Sequence, residues 1–195
     1  MIIPSLHEIM TGFYATWRIG LRDPRAISWI DDSIPGVWKS FFAAVLVAPY
    51  YAITTWLHLP QEIPDSISLP TLISVEAICY ILSWLVFPLL VHSFCQITHR
   101  EYVFRRFLAA LNWSTLVQVV VLLPITLLDT TQIVPQDWLD SLFLAVGLLL
   151  YVYLGMIVHD TLKVPAIAIA GIVACGILID IALLALGNNI LGITS

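Results

Sequence analysis

Between Ser141 and Val158 the chain reads SLFLAVGLLLYVYLGMIV, without one charged side chain. A helix of that length spans about 27 Å, close to the roughly 30 Å hydrocarbon core of a bilayer. Four other runs are comparably apolar, and the expected spans are about 38–58, 70–94, 107–128, 139–159 and 164–187. A β reading fails on two counts. The runs lack the alternation of a barrel strand, and an open sheet would leave backbone groups unpaired in lipid. Only 11% of the 195 residues are charged while 60% are hydrophobic, and a soluble domain carries about twice that charge. The expected fold is therefore all-α. It is a polytopic membrane protein with a five-helix transmembrane domain over 38–195 and an amphipathic N-terminal segment over 1–37.

The basic residues give the threading. Arg18, Arg22, Arg25 and Lys39 stand at or before the start of the first span, Arg100, Arg105 and Arg106 between the second and third, and Lys163 between the fourth and fifth. The connections 59–69 and 129–138 and the tail 188–195 contain neither Lys nor Arg. With five spans every basic residue falls on one side, so the positive-inside rule predicts a cytoplasmic N-terminus and an outside C-terminus. The expected location is a bacterial inner membrane. No basic stretch followed by an apolar core and a small-residue cleavage site opens the chain, so no cleaved signal peptide is expected.

The first residues predict an amphipathic helix over about 5–21. Ser5 and Glu8 have capping-box spacing, in which each side chain satisfies a free backbone N–H at the helix start. Leu6, Ile9, Met10, Phe13, Trp17 and Leu21 recur at helical spacing, and a helix with Trp on its apolar side suits the membrane interface. Packing on the protein's own loops is the plainer alternative. Asp23-Pro24 should end this helix. Asp32 or Ser33 then caps the first span, with Pro35 in its first turn. Trp38 and Lys39 follow as interfacial anchors, Trp17 being the third.

A few polar groups interrupt the apolar runs. Glu76 lies about six residues from the outer end of its span and Asp180 about seven, so both sit roughly 10 Å deep. Intramembrane carboxyls are expensive and by default mark function. Tyr80 and Ser83 share the Glu76 face, and Gly176 and Ala166 share that of Asp180, where small residues admit a neighbouring helix. If the two helices touch, the carboxyls form a polar site with Tyr80 and Gln118. Protonation and a hydrogen bond to another helix is the plainer reading. Asn112, Ser114, Thr115 and Gln118 make the third span the most polar, which points it toward the bundle interior, with interhelical hydrogen bonds to its amides. Pro49, Pro88 and Pro124 read as structural kinks.

Other chemistry finds little support. His92, Cys95 and His99 share a helix face and are zinc-ligand types, but no fourth ligand is near, and no metal or other cofactor is expected. Cys79, Cys95 and Cys175 are odd in number and lie in or beside apolar runs, which argues against disulfides. His159-Asp160 reads as a solvated pair. No HExxH, GxSxG or P-loop pattern occurs, so no enzyme is expected. A net charge of −5 gives nucleic acid no footing.

The layout resembles the Yip family of Ypt/Rab-interacting membrane proteins, and among them the small bacterial relatives. The residues that carry the likeness are Pro49 in AAVLVAPYYA, FRRFLAALNWSTLVQVVVLLP at 104–124 and YVYLGMIVHDTLKVPAIAIAG at 151–171. It extends over 38–187. The acidic-aromatic-Gly-Pro signature of the eukaryotic members has no counterpart here, so a Rab-type partner is not implied, and no catalytic residue is carried over. The resemblance implies a non-enzymatic protein that binds or organises other membrane components. Its expected partners are the lipid bilayer and another membrane protein or a second copy of the chain. The alternative is a small transporter or proton- or ion-conducting protein that uses Glu76 and Asp180.

Overall fold

The structure is a computed structural model that describes residues 3–57, 67–131 and 133–192. Among these residues every regular element is helical. They are α1 (Leu6–Gly20), a short 3-10 turn (Ala26–Trp29), α2 (Ile34–Ser40), α3 (Phe42–Leu57), α4 (Leu69–Ile97), α5 (Glu101–Thr131), α6 (Gln136–Leu162) and α7 (Ala166–Ile190). α2 and α3 are parted only at Phe41 and form one span from Ile34 to Leu57, four residues longer at its start than the apolar run. With α4, α5, α6 and α7 it makes five helices long and apolar enough to cross a membrane. The chain is an integral membrane protein. Residue 58 and most of the connection 59–69 lie outside the described residues.

α5 is the central element. It packs against α1, α2, α3, α4 and α6, and α7 closes the remaining side against α4 and α6. Of its apolar window 44% is buried, against 11–22% in the other spans. That position explains its polarity, because an amide or hydroxyl is tolerated where protein rather than lipid surrounds it. Asn112 is buried and donates to the Ser40 hydroxyl at 2.9 Å. Pro49, Pro88 and Pro124 each lie inside a helix that continues past them.

The end of the bundle bearing the basic residues is knitted by short polar contacts. Ser5 and Glu8 form the capping box of α1. Of the two cap candidates for the first span, Ser33 is the N-cap, accepting from the Gly36 N–H. Asp32 is taken up instead by Arg106 of α5 at 2.6 Å, because a guanidinium one helix away holds a carboxylate more strongly than a neutral N–H. Asp31 accepts from the Ser33 N–H at 3.0 Å. Arg100 donates to the Leu162 carbonyl at the end of α6, where a cation complements the helix dipole. Lys39, expected as an interfacial anchor, is ion-paired with Glu8 at 2.5 Å.

α1 ends at Gly20, before Asp23-Pro24. Arg22 is left-handed there (φ 60), and the Asp23 N–H closes back on the Arg18 carbonyl at 3.0 Å, a Schellman closure with Arg in the usual glycine place. Its buried face is Gly12, Ala15, Thr16 and Ile19, not the bulky stripe. The reason is closeness: a Cβ at Gly12 would stand 2.6 Å from the Trp113 indole, and Tyr153 donates to the Thr16 carbonyl at 3.0 Å. Leu6, Met10, Tyr14, Trp17 and Leu21 are left exposed on the other side, as is Trp38 on α2. Trp113 and Tyr153 each lie seven residues along their helices from Arg106 and Asp160. α1 therefore lies across this end, within roughly 10 Å of the charged level.

Candidate functional site

α4 and α7 run antiparallel and meet through small residues. A Cβ at Gly176 would stand 3.3 Å from Phe87, and one at Gly187 3.4 Å from the Cys79 sulfur. Leu191 packs with Leu72 and Val75 in the same register. The second small residue is thus Gly187; Ala166 is exposed and takes no part. This packing directs the 76/79/83/87 face of α4 at the 176/180/183/187 face of α7, and Glu76 and Asp180 come to line one cleft of about 220 Å³ with Tyr51, Cys79, Ser83 and Asn188.

The same register corrects the expectation of equal depth. Glu76 stands level with Gly187 to Asn189, so the backbone positions of the two residues are offset along the bundle by roughly 12 Å. The two side chains therefore enter the cleft at different levels. Each is steadied by a tyrosine from the neighbouring helix. Tyr51 of α3 donates to Glu76 at 2.9 Å, and Tyr151 of α6 donates to Asp180 at 2.9 Å. Among the described residues no Lys, Arg or His pairs with either carboxylate, and none lines the cleft.

Asp180, Tyr51 and Ser83 also border a second, larger cavity of about 400 Å³ to which all five spans contribute. Tyr80 and Gln118 line it, which brings all four residues of the expected polar site to two adjoining spaces. Tyr80 donates to the Ala44 carbonyl at 2.5 Å, next to the Val45 carbonyl that Pro49 leaves without its helical donor. Gln118 differs from expectation. Among the described residues no hydrogen-bond partner reaches its amide, because the helices opposite it stand back around the cavity.

Tyr51, Tyr151 and Trp84 belong to this site and were not legible as such. A usable signal exists for the tyrosines: a phenol inside an apolar helix needs a partner for its hydroxyl. His92, Cys95 and His99 do not converge. The His92 ring lies 4.7 Å from that of Phe104, Cys95 is fully buried in the core, and His99 is the left-handed residue after α4. His159 pairs with Asp160 at 2.7 Å, and Arg22 stands 3.8 Å from the same carboxylate.

Compared with protein-family models, curated proteins and solved structures, the chain matches none.

Proposed function

We propose that this is a non-enzymatic membrane protein that binds a cation or proton inside its bundle and passes it between the two carboxyl levels. The observation that carries the reading is the common cleft of Glu76 and Asp180. Glu76 is half-buried and Asp180 is exposed on the bundle, and a carboxyl within a membrane span, with no basic neighbour, is costly as a bare anion. It is held by a proton or by a bound cation. Two such groups at successive depths in one cleft, which Tyr51 and Ser83 also line, make a stepped route, where a single acid would only need a partner. In the orientation set by the positive-inside rule, Glu76 is nearer the outside and Asp180 nearer the midplane of a bacterial inner membrane. The test is proton or cation flux into proteoliposomes under an imposed gradient. Glu76→Gln and Asp180→Asn should each abolish it while the purified proteins keep wild-type helicity; unchanged flux in both variants sinks the reading.

A second reading has its own support. The exposed stripe of Leu6, Met10, Tyr14, Trp17 and Leu21 on α1 fits the Yip-like role of organising membrane components, since an apolar helix face at headgroup depth engages lipid or another membrane helix. Two differently tagged copies, or the chain and a membrane partner, should co-purify in mild detergent. Met10→Glu with Trp17→Glu should end that association; persistence in the double variant rules the stripe out as the contact.

A further inference from the structure

The larger cavity has a chemistry of its own. Tyr50, Tyr51, Tyr80, Trp84 and Tyr151 line it together with Asp180. The first of these walls is continuous: the Tyr51 and Tyr80 rings are 4.7 Å apart, and those of Tyr80 and Trp84 are 6.2 Å apart and edge-on. The phenol hydroxyls are already engaged. Tyr50 bonds with Thr126, Tyr51 with Glu76, Tyr80 with the Ala44 carbonyl and Tyr151 with Asp180. What these residues offer a guest is ring surface, beside one carboxylate and the Gln118 amide.

We infer that this cavity takes an organic cation, an alkylammonium held by aromatic rings and the Asp180 carboxylate. The inference rests on the cation-binding reading above and narrows it. Aromatic faces attract ammonium groups through the ring quadrupole, and desolvated cages of such rings recognise quaternary ammonium. A hard metal cation asks for something else, six or more oxygen ligands at close range, which rings do not supply. An anion finds no basic side chain in the lining. The volume of about 400 Å³ lies within the roughly 300–1,000 Å³ of small-molecule sites, so a compact tetraalkylammonium fits where a bare metal ion would be loosely held.

The probe is tetraethylammonium chloride titrated calorimetrically into the full-length protein in detergent, with sodium chloride at matched ionic strength as reference. Saturable binding at one site is expected, weakened about tenfold or more by Asp180→Asn and by Trp84→Ala, and largely restored by Trp84→Phe, which keeps a ring. Circular dichroism and a single elution peak identify variants that fold. Absence of saturable binding to the folded wild-type protein overturns the inference, as does binding that Trp84→Ala and Asp180→Asn leave unchanged. If tetraethylammonium fails to bind while Asp180→Asn still abolishes proton or metal-cation flux, the organic-cation inference falls and the carboxylate route stands. Loss of neither flux nor binding in that variant removes both.

Discussion

Glu8 shows how one side chain fixes the place of an element. Its carboxyl is held from the usual 4.5 down to about 2, first by the hydrogen bond from Lys39, then by the backbone N–H and hydroxyl of Ser5. Asp23, just past α1, is lowered from 3.8 to about 2 by the Arg25 N–H and the Arg18 guanidinium. Both are depressed carboxylates, so their contribution to the folded state is complete above about pH 4.5 and is lost as pH falls toward 2. The thermal midpoint in detergent should therefore fall across that window, and Lys39→Met should flatten the fall by removing the first cause of the Glu8 shift. A midpoint independent of pH between 5 and 2 contradicts the assignment. The capping box behind Glu8 was readable from spacing alone, because a cap acts within one turn. The fate of Asp32 was not, since its partner Arg106 lies 74 positions away in sequence.

At the scale of elements, the five spans were legible because lipid imposes one rule on every window, an uninterrupted apolar run with internal hydrogen bonds. The packing of α1 was not legible. Periodicity marks the bulky stripe, Leu6 to Leu21, as a face for the membrane interface and leaves the opposite face unread; α1 turns Gly12, Ala15, Thr16 and Ile19 toward the bundle and leaves most of that stripe outside. Close approach decides in favour of small residues, and a sequence shows small residues without showing the indole that will lie on them. Gly12→Ala places a methyl 2.6 Å from the Trp113 ring, and overpacking of that kind costs about 1–3 kcal/mol. Hydrogen exchange should then accelerate in α1 with little change in α6 and α7. Equal protection of α1 in the variant and the parent argues against the contact.

At the scale of the whole molecule, the decisive feature is how α4 and α7 pair. The chain by itself determined the number of spans, their approximate ends, the segregation of every Lys and Arg to one end and the presence of two intramembrane carboxyls. These follow from composition along a line, which the solvent reads residue by residue. Only the tertiary structure decided that Glu76 and Asp180 share a cleft, that they stand at different heights in it and that Tyr51, Tyr80, Trp84 and Tyr151 gather around the space beside them. The physical reason is register. Counting from the end of a run gave Glu76 and Asp180 the same depth, but the pairs Phe87–Gly176 and Cys79–Gly187 slide α7 along α4 by the fit of side chains into gaps. That fit depends on both helices at once, and neither apolar segment encodes it alone.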